Sequence, residues 1–347
     1  MPTDQDIADQ YGLQRTAYES LAESAATTIT TLLRARKVDY LAVVHRTKTI
    51  ESVREKVSRK GYADLVEFTD LAGVRVITYI ESDIARVSGL LNEAFVVDAK
   101  HSIDKSEELS DDQFGYRSVH FVCELGDART ALPELSELRG LKFEVQVRTV
   151  LQHAWAEIEH DRSYKFAGEL PSAIKRRLNL LAGVLELADR EFGLLAREVD
   201  EYATSVKQSA ASGSLSEEEL TSISLSEFFK SDEIEPKFSK SPYSPTSIDE
   251  VVGELKRFGV VDIAGVKKLL SPKFMEALAT SVATTTVVGL MRKAMMFEDV
   301  DRYFSDAWKT RWLMSPDTHA LLKKRYGAPA LAEVLKRHGV RRQLKTS

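Results

Sequence analysis

The stretch from Phe143 to Lys165 constrains the fold more than any other part of the chain, because its periodicity changes within a few residues. Its first six residues alternate in polarity, with Phe143, Val145 and Val147 apolar and Glu144, Gln146 and Arg148 polar. This period predicts a half-buried strand. Helical spacing follows, with Leu151, Trp155 and Ile158 on one side and His153, Glu157 and His160 approaching another. A strand that leads into a helix, both with charged groups, is typical of α/β and α+β sites. A solvated strand face followed by a surface helix is the alternative.

The length of 347 residues predicts two domains. With 43% hydrophobic and 29% charged residues, the composition is that of a soluble globular protein. The net charge of −5 argues against broad nonspecific nucleic-acid binding, although it allows a local basic patch.

The single cysteine, Cys123, lies in an apolar run, which predicts a buried thiol and no disulfide framework. The chain has no apolar run of 18 residues, and its N-terminus is polar and acidic. We therefore expect a cytoplasmic protein that is neither exported nor inserted into a membrane.

Residues 1–36 have the apolar spacing of a helix. The following window, 34–61, holds nine Lys or Arg residues against three acids. A strand is predicted at 38–45, and a helix capped by Thr49 or Ser52 is predicted to end at Gly61. Such charge runs are usually solvated helix faces. Arg46 and Lys48 share one side of an extended segment, however, and Ser52 and Lys56 lie one helical turn apart, so these groups could converge on a polyphosphate.

A buried strand is predicted within residues 68–80, and Asp70 and Arg75 flank its start. Gly73 permits a close approach or a positive φ there. A carboxylate at the mouth of a central strand is a frequent Mg²⁺ ligand, because Mg²⁺ usually takes one or two carboxylates together with substrate phosphates. A helix is predicted at 82–92 and short strands at 95–98 and 119–125.

Tyr116 lies beside Gly115, just before the strand predicted at 119–125. Its ring could lie flat under a nucleotide base. An ordinary core aromatic is the alternative.

Four motifs now follow one another along the chain. They are R-x-K with Ser52 and Lys56 downstream, D-L-A-G-V-R from Asp70, G-Y-R-S-V-H from Gly115, and E-V-Q-V-R-T with H-A-W-A-E-I-E-H from Glu144. Together, over roughly residues 10–205, they resemble the synthetase domain of the RelA/SpoT family. Members of that family transfer pyrophosphate from ATP to a nucleotide 3′-hydroxyl.

The resemblance implies an α+β fold, in which a mixed five-stranded, nucleotidyltransferase-like sheet is flanked by helices. It also implies roles, position by position. Arg46, Lys48, Ser52, Lys56 and Arg75 match ATP-binding residues, and Asp70 and Glu144 match the Mg²⁺-binding catalytic acids. Tyr116 matches the tyrosine that stacks on the acceptor's guanine, with His120 and Gln146 nearby, while Arg148, His153, Glu157 and His160 complete the site or support it.

We therefore expect an Mg²⁺-dependent pyrophosphokinase that uses ATP and GDP or GTP to make (p)ppGpp-type alarmones. Many relatives also carry a hydrolase domain with a His-Asp metal site. Here the His160–Asp161 pair lies inside the synthetase motif, and we expect synthesis only.

The acceptor stays open at the sequence level. Relatives that use GDP or GTP often have a lysine four residues before the stacking tyrosine, and this chain has Asp112 there, in an acidic loop. An acid facing a diphosphate costs on the order of a kcal/mol at short range. Toxin-like relatives modify the 3′-end of tRNA instead, but an acidic loop argues mildly against tRNA as well.

The last third has no match to these motifs. We predict a first domain over 1–205, with long helices over 171–202, followed by a linker region over 206–246 and an all-α domain over 247–347. Ile174, Leu178, Leu181, Leu185 and Leu187 are spaced to pack on the sheet or on another subunit, so a homo-oligomer is one expectation. The all-α domain is either a stabilising or oligomerisation module, or a regulatory one that senses a ligand or partner, like a fused antitoxin.

Overall fold

The computed structural model describes residues 3–104, 118–165, 171–230, 245–282, 285–308 and 313–343. The chain divides into two compact units, Met1–Arg197 and Glu198–Ser347, and each is described by itself. None of the helices in the described ranges is both long and apolar enough to cross a membrane.

The first unit combines a mixed sheet with helices, as predicted. Its elements are α1 (Asp4–Ala35), β1 (Ala42–Thr47), α2 (Ile50–Lys60), β2 (Ala72–Thr78), α3 (Glu81–Ala94), β3 (Val96–Val97), β4 (Ile103–Asp104), β5 (Val119–Glu124), α4 (Asp127–Thr130), β6 (Phe143–Thr149), α5 (Val150–Lys165) and α6 (Ser172–Ser212), the last of which continues into the second unit.

Five strands follow the order β1-β2-β6-β5-β3. The neighbours β2 and β6 are parallel, and the other adjacent pairs are antiparallel. The predicted five-stranded mixed sheet is therefore confirmed, with one addition, because the two-residue β4 also pairs with β5.

The ends of the first helices follow from their caps. Thr3 and Asp6 form a capping box at the start of α1. Thr49 caps α2, and Gly61 ends it with a φ of 68°, as the sequence predicted. The predicted strand at 38–45 begins later, at Ala42, because the chain turns after α1: Lys37 has a φ of 52° and the Val38 amide donates to the Leu33 carbonyl.

The core of the first unit lies between one face of the sheet and the helices. Phe143, Val145 and Val147 of β6 are fully buried, together with Val74 and Val76 of β2. Cys123 is also fully buried, as predicted, and burial raises the pKa of its thiol to about 12. The opposite face of the sheet carries polar side chains.

Within its described residues, the second unit consists of helices and two short strands. Its elements are α7 (Ser222–Lys230), α8 (Pro245–Arg257), α9 (Ile263–Leu269), α10 (Pro272–Ser281), α11 (Val287–Glu298), α12 (Val300–Arg302), β7 (Leu313–Met314), α13 (Pro316–Tyr326), α14 (Ala328–Arg337) and β8 (Arg341–Arg342). Ser315 caps α13, which begins at Pro316. Phe297, Tyr303 and Phe304 belong to its core.

The predicted linker over 206–246 differs from the structure in its described part. The helix α6 runs on to Ser212, α7 follows at Ser222, and Val206, Leu220 and Leu225 are fully buried in the core of the second unit. The Ser- and Ala-rich composition suggested a flexible segment, but apolar residues at helical spacing bury one face of it. The boundary between the units, at Arg197, falls inside a continuous helix rather than near 205.

Candidate functional site

The polar face of the sheet brings together residues that are far apart in the sequence. Arg46 of β1 pairs with Gly73 of β2, which pairs with Glu144 of β6. In the next row along the strands, Arg75 pairs with Gln146 and Gln146 pairs with His120. Residues directly opposite one another in a sheet project to the same face, so the two rows form one polar surface.

A chain of hydrogen bonds holds Glu144 in place. His120 Nδ1 lies 2.8 Å from Glu144 Oε1, and Gln146 Nε2 donates to Glu144 Oε2 at 2.8 Å. The other ring nitrogen of His120 lies 2.7 Å from Ser118 Oγ, and Arg148 donates to Gln146 Oε1. Each carboxylate oxygen of Glu144 thus has a partner, which fixes its position.

These partners also control the ionisation of Glu144. Burial disfavours the charged form, but the hydrogen bonds from His120 and Gln146, with the charges of His120 and Lys48, lower the pKa of Glu144 to about 2. Glu144 therefore carries a negative charge at neutral pH. Burial and the neighbouring Arg75 lower the pKa of Arg148 to about 10, so Arg148 stays protonated.

The second acid, Asp70, lies between two lysines. Lys56 Nζ is 2.8 Å from Asp70 Oδ1 and Lys48 Nζ is 3.1 Å from Asp70 Oδ2. The side chain of Asp70 is 22% exposed. The charge of Lys48 also helps to lower the pKa of Glu144.

Aromatic residues that the sequence did not single out position these lysines. The Tyr11 hydroxyl donates to the Lys48 carbonyl at 2.7 Å. The ammonium group of Lys56 lies 5.4 Å from the centre of the Phe68 ring and 5.7 Å from that of Tyr62, within cation–π distance. Tyr62 and Phe68 lie outside the regular elements, where no periodicity marks them.

Ser52 lies at the N-terminal turn of α2. Its backbone amide donates to Thr49 Oγ1 at 3.2 Å, and its hydroxyl accepts from the Thr49 hydroxyl at 3.0 Å. Ser52 is exposed, and the partial positive charge of a helix N-terminus favours anions there.

The helix α5 places Glu157 and His153 close to Arg75 on the polar face. Arg75 Nη1 lies 2.7 Å from Glu157 Oε1, and His153 Nδ1 lies 3.8 Å from the same oxygen. Burial lowers the pKa of His153, which Glu157 opposes and the nearby Arg148 and Arg75 reinforce.

Gly73 leaves a gap in the polar surface between Arg46 and Glu144. A Cβ at this position would lie 3.9 Å from Arg46 Cγ and from the carbonyl oxygens of Arg46 and Glu144. Gly73 has no positive φ, so one of the two predicted reasons for a glycine here, a left-handed backbone, is absent. The other reason, the close approach of a ligand, stays a prediction, because these distances are ordinary van der Waals contacts.

Eleven of the residues singled out from the sequence thus lie on or beside the polar face. They are Arg46, Lys48, Lys56, Asp70, Arg75, His120, Glu144, Gln146, Arg148, His153 and Glu157. Tyr116 and Asp112 lie outside the described residues, and so does the side chain of His160.

The two acids have the donor chemistry that Mg²⁺ requires. Within the described ranges, no group of three or more His, Cys, Asp or Glu side chains is arranged to hold a metal ion. Mg²⁺ needs no such group, because it usually binds one or two carboxylates and completes its octahedron with water and substrate phosphates. Asp70 and Glu144, 22% and 18% exposed, fit this requirement.

The chain is similar to known proteins in sequence and in structure. Residues 45–169 match the region found in RelA / SpoT proteins. The chain is 30% identical over 164 residues to the GTP pyrophosphokinase YjbM of Bacillus subtilis, covering 46% of this chain and 73% of YjbM. It is 29% identical over 163 residues to the GTP pyrophosphokinase YwaC of the same organism, covering 45% of this chain and 73% of YwaC. The crystal structure of small alarmone synthetase 1 from Bacillus subtilis is 26% identical, with a TM-score of 0.48 over 56% of this chain and 99% of that one.

Proposed function

The chain belongs to the RelA/SpoT family, and we propose from that premise that its first unit transfers pyrophosphate from ATP to the 3′-hydroxyl of GDP or GTP, making (p)ppGpp-type alarmones. The observation that carries the proposal is the pair of acids in the site: Asp70, which lies between Lys48 and Lys56, and Glu144, which accepts a hydrogen bond from Gln146 and pairs with His120. The arrangement has the charges that phosphoryl transfer needs and leaves them within reach of solvent.

The cations of the site suit the triphosphate of ATP. Phosphoryl transfer spreads negative charge over the moving oxygens, and positioned cations stabilise that charge. Lys48 and Lys56 are held by Asp70, and Arg75 by Glu157, in pairs that a phosphate can replace. Arg46 is exposed in the same row as Gly73, and we expect it to contact the nucleotide.

Asp70 and Glu144 would hold Mg²⁺. The ion, when bound with ATP, neutralises phosphate charge during transfer. For Asp70 to bind it, the ammonium groups of Lys48 and Lys56 must move from the carboxylate to the phosphates. Glu144 needs no change of protonation, because its pKa is about 2.

The acceptor hydroxyl must also lose its proton, and these same carboxylates are the candidates to assist. Because Glu144 remains ionised at any pH well above 2, we expect no loss of rate from its protonation between about pH 5 and 9. A rate that falls on acidification within this range would instead show that a group other than Glu144 must be ionised.

The experiment that tests the proposal uses ATP labelled in its terminal phosphates. The protein is incubated with this ATP and Mg²⁺, and separately with GDP, GTP or deacylated tRNA, with Asp70→Asn as the inactive control. We expect label in the guanine nucleotide and AMP as the second product. Label in tRNA alone would replace the proposed acceptor, and intact ATP in every reaction would overturn the proposal.

Two further expectations accompany this assignment. Incubation with purified ppGpp should leave the ppGpp intact, since we propose synthesis only.

The second unit's regulatory role stays a prediction, and a chain that ends at Ser212 tests it. Higher activity in the shortened chain than in the full one would indicate autoinhibition.

A further inference from the structure

A cavity in the second unit collects positively charged side chains. It has a volume of about 320 Å³ and lies between α10, the end of α11 and the end of α13. Three of its lining residues, Lys273, Lys324 and Arg325, are cations, and one, Glu276, is an acid. Cavities of about 300 Å³ and more can hold a small molecule. The volume therefore suits a small ligand, and the charge favours an anion.

Two other cavities of the second unit are similar in size but not in charge. One, of about 390 Å³, is lined by two lysines and two acids. The other, of about 350 Å³, is lined by two arginines and three acids. An excess of cations is therefore not a general property of the cavities in this unit, and it distinguishes the cavity at Arg325.

The three cations have no acid partner among the described residues. No carboxylate of those residues lies within 4.0 Å of Lys273, Lys324 or Arg325. Other cations of the second unit do pair with acids, as Arg337 does with Asp301 at 3.0 Å. Like charges that line one cavity repel one another, and an anion between them would remove that repulsion.

Arg325 is held in a position that leaves its terminal nitrogens available. Its Nε donates to the Phe297 carbonyl at 3.2 Å, at the end of α11. Its guanidinium lies 5.3 Å from the centre of the Phe297 ring and 5.5 Å from that of Tyr326, within cation–π distance. Among the described residues, Nη1 and Nη2 donate to no acceptor. Capping of α11 thus occupies Nε alone, and the other donors of this fixed guanidinium suit a phosphate.

The helix α10 provides one wall of the cavity. Four lining residues share one of its faces: Lys273, Glu276, Ala277 and Thr280. The Thr280 hydroxyl accepts from Lys324 Nζ at 3.2 Å, which holds that ammonium group beside α10. Ala277 and the buried Phe297 add apolar surface. The Glu276 carboxylate can accept a hydrogen bond from a hydroxyl group but would repel a second phosphate.

We propose that this cavity binds a small phosphate ester that carries free hydroxyl groups, such as a sugar phosphate. The three cations bind the phosphate, the apolar surface of Ala277 and Phe297 contacts the organic part, and Glu276 accepts from a hydroxyl group. All of these residues belong to the second unit, so the site shares no residue with the polar face of the first.

Labelling with pyridoxal 5′-phosphate tests the site, because this probe carries a phosphate, a ring and an aldehyde. The aldehyde carbon forms an imine with a lysine amine and releases water, and borohydride reduces the imine to a stable amine that peptide mass spectrometry locates. In the full-length chain we expect Lys273 or Lys324 to react on the order of tenfold faster than Lys323. Lys323 is the matched control, because it is exposed beside Lys324 on α13 but does not line the cavity.

Two additions show whether the phosphate directs this labelling. An excess of ribose 5-phosphate should protect the cavity lysines, whereas ribose should not. Pyridoxal, which lacks the phosphate, should show no preference among the three lysines. If pyridoxal 5′-phosphate labels Lys273 and Lys324 no faster than Lys323, the proposal is wrong.

Calorimetry distinguishes a phosphate ester from free phosphate. The full-length chain is titrated with ribose 5-phosphate and, separately, with inorganic phosphate, and we expect the ester to bind more tightly. Lys324→Gln and Arg325→Gln should each raise the dissociation constant for ribose 5-phosphate on the order of tenfold, because each removes a charge-assisted hydrogen bond. Lys323→Gln should leave it unchanged, and circular dichroism shows whether the variants remain folded. Equal affinity for the two probes, or an unchanged constant in Lys324→Gln and Arg325→Gln, would overturn the proposal.

Discussion

The two units of this chain use charged residues in opposite ways. In the first unit, Asp70 and Glu144 are 22% and 18% exposed on the polar face of the sheet. In the second unit, Glu254 is 3% exposed and accepts hydrogen bonds from Arg292, the shortest at 2.6 Å, and from the Tyr303 hydroxyl at 3.2 Å. Both arrangements pair acids with bases, but the acid of the second unit is far less exposed than the two acids of the first.

The difference separates charges that can change partners from charges that hold helices together. Lys48 and Lys56 can leave Asp70 for a phosphate, because solvent reaches both sides of the pair. Arg292 is held between Glu254 and the ring of Trp308, 4.7 Å away, and any exchange would leave a buried acid without compensation. We therefore expect substitutions in the first unit to act on catalysis and those in the second to act on stability.

Asp70→Asn provides the largest expected effect. The substitution keeps the shape and an acceptor for Lys56 but removes the negative charge, so the rate of pyrophosphate transfer should fall by about 10⁴-fold. Initial rates of AMP formation measure it, and thermal unfolding should show a folded protein.

Asp98→Asn is the matched control for this variant. Asp98 is 24% exposed and lies 2.8 Å from Lys142 Nζ, so it resembles Asp70 in exposure and pairing, but its partner is neither Lys48 nor Lys56. We expect it to keep most of the activity. Equal losses in both variants would mean that Asp70 acts through structure alone.

Arg292→Leu should have the largest effect on stability. The substitution leaves the Glu254 carboxylate buried without its main partner, which costs about 3–5 kcal/mol of unfolding free energy. Urea unfolding measures the loss. The double variant Glu254→Met/Arg292→Leu should recover much of it, because no charge is then buried. A fully stable single variant would show that the pair is not structural.

Much of the first unit could be predicted because its elements have local causes. The alternation in β6, the cap at Thr49 and the terminating Gly61 all specify structure within a few residues. The site acids and bases could be named because four motifs occur together in order. Their pairing could not be predicted: nothing in the sequence says that Lys48 and Lys56 share Asp70, or that Tyr11 holds the Lys48 carbonyl from a helix 37 residues away.

The second unit contains buried residues that the local sequence does not predict. The composition around 206–216 suggested a linker, yet Val206 is buried because distant helices cover it. Burial by elements far along the chain has no local signature. For the same reason, Asp189 could not be recognised as a buried acid from the apolar periodicity of α6.

The ionisation of Glu144 should appear as a dependence of stability on pH. A folded-state pKa of about 2 against an ordinary 4.5 corresponds to about 3 kcal/mol, fully present above pH 4.5 and lost as the pH falls toward 2. Urea midpoints of the unmodified chain and Glu144→Gln at pH 6 and pH 3.5 should therefore converge on acidification. A constant difference would contradict the low pKa.

Thr149→Val tests a buried pair in the first unit. Its partner Asp189 is a buried acid, as Glu254 is in the second unit. Burial raises the pKa of Asp189 in spite of the hydrogen bond from Thr149. Thr149 Oγ1 also accepts from the Gln152 amide at 3.2 Å. Losing both bonds should cost about 1–3 kcal/mol of unfolding free energy, measured with urea. Thr31→Val, which removes the bond from an exposed hydroxyl to the Thr27 carbonyl at 2.9 Å, should cost far less.

Glu157→Gln should have the smallest effect on stability. It also tests whether an exposed ion pair of the first unit can exchange its partner for a phosphate. Glu157 is 54% exposed, and solvent-exposed ion pairs contribute about 0–1 kcal/mol, so the unfolding free energy should barely change. The substitution weakens the hold on Arg75, which becomes easier for a phosphate to capture, so the KM for ATP should stay the same or fall slightly at low salt. Steady-state kinetics at two salt concentrations measure this change, which screening should reduce. A severalfold increase in KM would show instead that Glu157 itself contacts the substrate, and that this exposed pair is not one that a phosphate simply replaces.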